Sequence, residues 1–139
     1  MLSNFLYHIV CYLVIIMCKL EYYGNCDPKT KDQEYCVFHR SNESEEEARE
    51  FWMKFLERFK PKKEKIYDEQ SRKEIQRFIF EDEVNCRGYV FPEIPKDLSF
   101  SFYQAIFKRC VDFVMATFKG ADFEGVTFEK KCEFQICYF

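Results

Sequence analysis

A phrase of five residues, repeated four times without a break from Val111 to Lys130, most constrains what this 139-residue chain can fold into. Phenylalanine occupies the third position of every copy, and a small apolar residue stands two places before it. This spacing fits neither an α-helix of period 3.6 nor an alternating strand. It is typical of a chain that turns a corner after each copy, so that four copies make one roughly square coil whose rings stack on those of the next coil. The short fixed period therefore predicts a β-solenoid.

The period of five continues, in weaker form, before the four copies. Val84–Gly88 and Tyr89–Glu93 are degenerate copies, and Cys86 takes the inward position of the first. The segment Ile94–Asp97 then interrupts the series. These copies predict the first, imperfect sides of the solenoid.

An inner column of rings follows from this register. Two of its steps, ending at Phe113 and Phe134, are six residues long where five is the rule, and a bulge at a corner can absorb the extra residue. Cys110, Cys132 and Cys137 lie at such steps or in small inward positions, so they are predicted to be buried as small hydrophobes. The predicted inner rings are Phe91, Phe102, Phe107, Phe113, Phe118, Phe123, Phe128 and Phe134, with Phe139 next.

Two of the phrases, ATFKG at residues 116–120 and ADFEG at residues 121–125, resemble the pentapeptide-repeat family. The consensus of that family is Ala, then Asp or Asn, then Leu or Phe, then two free residues. The resemblance implies a right-handed quadrilateral β-helix with the Leu or Phe and the preceding small residue inside. It implies no particular activity, because this scaffold serves many purposes.

Cys18, Cys26, Cys36 and His39 are spaced C-x7-C-x9-C-x2-H near the start of the chain. Three thiolates and one imidazole form a complete tetrahedral set for a closed, structural zinc site. The stretch also resembles a short Cys/His module that precedes the repeats in some pentapeptide-repeat proteins and ends in a Tyr-Cys-x-Phe-His phrase. The alternative is a small loop that contains cysteines, with His39 packed or capping a turn.

Residues 1–16 are mostly apolar and admit three interpretations. They are short for a membrane helix, which needs about 20 apolar residues, although residues 2–18 could form a short anchor in a thinned bilayer. They lack the basic start and small-residue cleavage site of a signal peptide. The third interpretation, which we favour, is that translation begins at Met17. The anchor conflicts with the zinc site, because Cys18 would lie in the membrane.

The segment from residue 41 to 60 predicts an amphipathic helix. Ser44 and Glu47 form a capping box, and Lys60 before Pro61 ends the helix. We expect its apolar face to cover the start of the β-helix, the alternative being a helix that binds a partner's groove. The predicted inward face consists of Ala48, Phe51, Trp52, Phe55, Leu56 and Phe59.

The basic segment Pro61–Lys65 is interpreted as a solvated linker, the alternative being a phosphate-binding patch. A second helix is predicted after it, from Tyr67 to about Phe78. The chain is thus predicted to be α+β in four parts. These are an apolar segment (residues 1–16), a Cys/His module (17–40), a helical cap (41–80) and a β-helix (84–139).

The chain ends while still in the repeat, at Cys137-Tyr138-Phe139. An uncapped solenoid exposes unpaired backbone groups and apolar side chains. Either a second copy covers this end, or the chain is the front part of a longer product, which is the interpretation we favour.

The function expected from the sequence is a non-enzymatic protein-binding or scaffold module in the cytoplasm. No catalytic constellation stands out, and the outward Asp112 and Asp122 are interpreted as solvated surface. The formal charge is −3, and six acids balance six bases from Lys96 to Phe139, so neither nucleic-acid binding nor mimicry of nucleic acid is expected. The alternative is a small single-pass protein that residues 1–16 anchor in a membrane.

Overall fold

A computed structural model describes residues 17–130 and has a mixed α+β architecture. Within that range the chain forms one α-helix, a 3-10 turn at Glu21–Tyr23 and eight strands in three small sheets. The sheet orders are β1-β2-β5-β8, β3-β6 and β4-β7. The elements are α1 (Glu45–Phe59), β1 (Lys62–Asp68), β2 (Lys73–Phe80), β3 (Val84–Asn85), β4 (Val90–Phe91), β5 (Ile106–Phe107), β6 (Val111–Asp112), β7 (Thr117–Phe118) and β8 (Thr127–Phe128).

Helix α1 confirms the predicted amphipathic helix and its start. The Ser44 hydroxyl accepts a hydrogen bond from the Glu47 backbone N–H at 3.1 Å, and the Glu47 carboxylate accepts one from the Ser44 N–H at 3.3 Å. Lys60 adopts a left-handed conformation (φ 42°) and ends the helix before Pro61. Of the predicted inward residues, Leu56 and Phe59 are only partly buried. Within residues 17–130 no helix is long and apolar enough to cross a bilayer.

The predicted second helix is wrong, because residues 62–80 form an antiparallel hairpin of β1 and β2. The Asp68 carboxylate accepts a hydrogen bond from the Ser71 N–H, and Arg72 has a φ of 55°, so the chain reverses direction between the two strands. The other edge of β2 pairs with β5. The basic segment is likewise mostly strand β1 and not a linker, although its lysines are exposed.

The repeat stack, residues 80–128, is built from parallel strand pairs. Val84 lies opposite Val111 and Val90 opposite Thr117, in each case 27 residues further along the chain. Ile106 lies opposite Thr127, which is 21 residues further along. The first interval is longer because the segment around residues 94–97 lies within it, as the interrupted period predicts. Each pass of the chain therefore lies beside the previous pass at equivalent positions.

Aromatic rings from successive passes stack on one another inside the repeat stack. The ring centroids of Phe91 and Phe118 are 4.5 Å apart, with 6° between their planes. Phe102 stacks on Phe123 at 4.8 Å and Phe107 on Phe128 at 5.3 Å. Phe80 was not predicted to belong to the column, but it stacks on Phe107 at 4.6 Å. Phe128 was predicted to be inside, but its side chain is 38% exposed. Phe134 and Phe139 lie outside the described residues.

The six-residue steps fall on one side of the repeat stack. Cys86 follows Phe80 by six residues just as Phe113 follows Phe107, and the Cys86 N–H donates to the Asp112 carbonyl at 2.8 Å. The extra residue Cys110 is exposed, so its predicted burial is wrong. The Cys110 carbonyl accepts a hydrogen bond from the Val84 N–H of the previous pass, and this bond holds the backbone of Cys110 at the corner. Cys132 and Cys137 lie outside the described residues.

The second position of the repeat phrase has a backbone role. The carboxylates of Asp112 and Asp122 each accept a hydrogen bond from the backbone N–H two residues further on, at 2.9 Å in both cases. These two side chains hold the turn at their own corners, as Asp and Asn commonly do. The chain then passes through a left-handed residue, such as Gly125 (φ 72°) or Met115 (φ 60°). Glycine tolerates this conformation better than other residues do.

Candidate metal centre

The four predicted metal ligands come together at one end of the repeat stack, on loops whose local hydrogen bonds set their positions. The backbone N–H of Cys18 donates to the Lys31 carbonyl at 2.7 Å, which brings the start of the module back onto its middle. The backbone N–H groups of His39 and Arg40 both donate to the Cys36 carbonyl at 3.0 Å. This tight turn places the Cys36 and His39 side chains on the same side.

A second turn connects the Cys26 loop to the Cys36 loop. The Thr30 hydroxyl donates to the Asp27 carboxylate at 2.9 Å and accepts from the Val37 backbone N–H at 3.0 Å. Lys54 of α1 forms an ion pair with Asp27 at 3.1 Å. The sequence predicts only a bend at Asp27-Pro28, whereas the structure shows that this bend also anchors the module to the helix.

The four donor atoms lie close enough together to surround one cation. His39 Nδ1 lies 3.5, 3.6 and 3.1 Å from the Sγ atoms of Cys18, Cys26 and Cys36, and all four donor atoms lie within 4.8 Å of one another. Zinc at its usual bond lengths holds S and N ligands about 3.6 Å apart and two S ligands about 3.8 Å apart. The prediction that these four residues form one cluster is confirmed, while their binding of zinc stays a prediction.

The orientation of the His39 ring suits metal ligation through Nδ1. Its Nε2 lies 3.3 Å from the Arg87 carbonyl oxygen, which can only accept a hydrogen bond. Nε2 therefore carries the proton, and the lone pair of Nδ1 faces the three thiols. Metal-binding histidines commonly donate their second N–H to a carbonyl or carboxylate in this way. The Tyr89 ring lies edge-on at 5.5 Å and holds the imidazole from the side.

The cluster is largely closed to solvent. Cys18, Cys36 and His39 are 3%, 0% and 4% exposed, and Cys26 is partly buried. Burial lowers the pKa of His39 to about 4, so the imidazole is neutral near pH 7. Burial also raises the pKa of Cys26 and Cys36, which keeps these thiols protonated when no cation is bound. Binding of a divalent metal would therefore release thiol protons.

Asn25 joins the module to the repeat stack, and sequence reasoning missed this role. It is fully buried, and its side-chain N–H2 group donates to the Asn85 carbonyl, the Asn85 side-chain oxygen and the Arg87 carbonyl at 3.0–3.3 Å. The Tyr89 hydroxyl donates to the Asn25 carbonyl at 2.8 Å. The Gly24-Asn25 pair was expected only to make a bend. Its position directly before the predicted ligand Cys26 was the indication that the sequence offered of a further role.

Within residues 17–130 these four residues are the one group of Cys, His, Asp and Glu side chains with a metal-binding arrangement. Cys86 is fully buried but lies outside the cluster. Comparisons with protein-family models, curated proteins and solved structures find no match for this chain.

Proposed function

We propose that this chain is a non-enzymatic protein-binding scaffold that begins a right-handed quadrilateral β-helix of the pentapeptide-repeat kind. In this proposal Cys18, Cys26, Cys36 and His39 hold one structural zinc ion that secures the start of the β-helix. The observation that carries it is the double role of His39. Its Nδ1 faces three thiols, and its Nε2 donates to the carbonyl of Arg87 in the first degenerate repeat.

The repeat geometry supports the β-helix. Its strands are two residues long and pair in parallel with the next pass of the chain, and the stacked rings lie at matching positions of the phrase. A coil whose hydrogen bonds run only to its neighbours needs a cover at its first pass. The Cys/His module and α1 lie on that first pass, since Trp52 donates to the Pro92 carbonyl and the Val90 N–H donates to the Phe38 carbonyl.

The closed ligand set supports a structural role for the metal. Four protein donors complete a tetrahedral site, whereas catalytic zinc sites keep one position for water or substrate. A segment of about 24 residues cannot bury enough apolar surface to fold alone, so a metal would stabilise it. Three reduced thiols at one site suit a reducing compartment such as the cytoplasm. The alternative of a membrane anchor concerns residues 1–16, which lie outside the described residues.

Metal analysis of the purified chain tests the zinc site. We expect about one zinc per chain, with loss of the metal in Cys36→Ala and in His39→Ala. Cys110→Ala is the matched control, because Cys110 is a cysteine outside the cluster and should leave the zinc content unchanged. A wild-type protein that is free of metal and as stable after chelation as before would contradict the proposal.

Panning tests the scaffold role. The zinc-loaded chain is immobilised and exposed to a displayed library of natural protein fragments, with heat-unfolded chain as the control bait. We expect a reproducible set of fragments that bind the folded bait only. Absence of any such enrichment would overturn the protein-binding role while leaving the zinc site to be judged by metal analysis.

A further inference from the structure

Strand β1 is an edge strand whose outer side is open among the described residues. In the sheet order β1-β2-β5-β8 it pairs with β2 on one side and with no strand on the other. None of residues 62–68 forms a backbone hydrogen bond outside this pairing within residues 17–130. In an antiparallel pair the N–H and C=O groups of alternate residues point away from the partner. Such an edge is a template for another strand.

The charges on this edge are unbalanced on one face. Lys62 forms an ion pair with Glu81, and Glu64 with Arg77, so these charges are satisfied. Lys63 and Lys65 alternate with them on the opposite face, are exposed, and form no ion pair with the described residues. Two positive charges two residues apart therefore remain on the face that β1 shares with the core side of β2.

An apolar groove continues that face. Lys63 lies directly opposite Phe78 in the hairpin, so both side chains are on the same face of the sheet. A groove of about 230 Å³ opens beside Phe78, with Lys60 and Lys63 at its rim. Its apolar wall consists of Leu56, Pro61, Phe78, Leu98 and Phe100.

We propose that β1 receives an extended acidic peptide of a partner protein as an added strand. The partner's acidic side chains, two residues apart, would lie beside Lys63 and Lys65, and one apolar side chain would enter the groove next to Phe78. Backbone hydrogen bonds provide affinity in such strand addition, and pockets for alternate side chains provide specificity. This inference rests on the protein-binding role proposed above and specifies the chemistry of the partner.

A second copy of this chain is a poor occupant of the same edge. Two copies of β1 can pair antiparallel about a two-fold axis only with residues of the same face opposite each other. If the axis passes through Lys65, Lys65 meets its own copy; if it passes through Glu64, Lys63 meets Lys65 and Glu64 meets Glu64. Like charges directly opposite each other destabilise a strand pair. The charge pattern therefore favours an acidic partner.

Fluorescence anisotropy with the zinc-loaded full chain tests this inference. The probe is a labelled eight-residue peptide with one Leu followed by Glu at alternate positions, separated by Thr. We expect it to bind, and expect Lys63→Glu/Lys65→Glu to weaken its binding at least about tenfold. Lys29→Glu/Lys119→Glu, which changes the net charge equally at exposed residues that belong to neither β1 nor the groove, should bind the probe as the wild type does. Amide exchange of the wild-type complex should slow in β1.

Two measurements on the wild type keep the test independent of whether a variant folds. A peptide with Lys in place of Glu should fail to bind, and an acidic peptide with Pro at every Thr position should lose affinity because it lacks the strand's N–H donors. Equal binding of the acidic and basic peptides would overturn the inference. So would preferential binding to phosphatidylserine vesicles, or self-association through β1.

The panning experiment separates this inference from the proposed function. If selected fragments bind the charge-reversed β1 variant as well as they bind the wild type, the scaffold role stands and the strand-addition site is wrong. If no fragment is selected, the protein-binding role and the strand-addition site fail together, because the site is a specific form of that role.

Discussion

The Cys/His module and the repeat stack reach order by different physical means. In residues 17–40 the buried set includes several polar side chains held by specific hydrogen bonds, among them Asn25, Asp27, Thr30 and His39. In residues 80–128 no charged or amide side chain is buried, and the interior consists mainly of rings that stack on rings one pass away. The module therefore depends on directional contacts and a proposed metal, and the stack on apolar area.

This difference predicts different sensitivities. Apolar burial is non-directional and roughly proportional to area, so loss of one ring removes a share of the stability. A metal site with four ligands is cooperative, because each ligand needs the other three in place. The module should thus respond to chelators and oxidants that leave the repeat stack unaffected.

Removal of the metal is expected to have the largest effect on stability. It also tests directly whether the Cys/His module depends on a metal and the repeat stack does not. Structural zinc contributes about 10 kcal/mol or more to small zinc-dependent folds. With a chelator, we expect the amides of residues 17–40 to exchange as in an unfolded chain while those of Thr117 and Thr127, whose acceptors lie in the repeat stack, stay protected. Hydrogen exchange followed by mass spectrometry measures both at once. Equal protection of the module with and without chelator would mean that its hydrogen bonds suffice.

Truncation of a central ring should give the next largest effect. Phe91 is 1% exposed and stacks on Phe118, so Phe91→Ala should cost about 3–5 kcal/mol of the free energy of unfolding. Phe128, at 38% exposed, is the matched control, and Phe128→Ala should cost about 1 kcal/mol. Urea denaturation at constant zinc measures both values. If the two costs were equal, the stack would not be held by buried rings.

Loss of the Asn25 side chain tests the contact between the Cys/His module and the repeat stack. Asn25→Ala removes the donor to the Asn85 carbonyl and side-chain oxygen and one of the two donors to the Arg87 carbonyl, which should cost about 1–3 kcal/mol. Gln33→Ala, an exposed amide in the same module, should change stability by less than about 0.5 kcal/mol. Thermal melts of the zinc-loaded proteins compare them. If Asn25→Ala did not change the stability, apolar packing alone would hold the two regions together.

Removal of the helix cap should have the smallest effect and should not discriminate between the regions, because α1 packs on both. Ser44→Ala loses the hydrogen bond from the Glu47 N–H and should cost about 1 kcal/mol. Ser41→Ala, outside the helix, is the control and should be close to neutral. Chemical denaturation followed by Trp52 fluorescence measures this. If amide hydrogen exchange in Ser44→Ala became faster in residues 17–40 alone, α1 would support only the Cys/His module.

The candidate site was predictable to the extent that its ligands are side chains close together in the sequence. Cys36 and His39 share one turn, and three thiols with one imidazole have few other joint uses. The carbonyl of Arg87 was not predictable, because every residue has a carbonyl and this one lies 48 residues from His39. Asn25 was missed for the same reason, since its partners lie about 60 residues away.

The hairpin shows where a local pattern is ambiguous. Ile75, Phe78 and Ile79 fit one face of a helix, but Phe78 and Phe80 also alternate as a strand requires. The strand forms because β2 pairs with β1 and also with β5, which lies 27 residues away. Phe80 was missed with it, although its distance of six residues from Cys86 repeats the six-residue step between Phe107 and Phe113.

The sequence by itself determined most of the inward rings within residues 91–123, the helix cap and the grouping of Cys18, Cys26, Cys36 and His39, because each follows from residue types and their spacing along the chain. Only the tertiary structure decided that residues 62–80 are strands, that Cys110 faces solvent, and that His39 donates to Arg87. These outcomes depend on backbone groups brought together from distant parts of the chain. Every residue carries such groups, so residue type does not reveal which of them will meet.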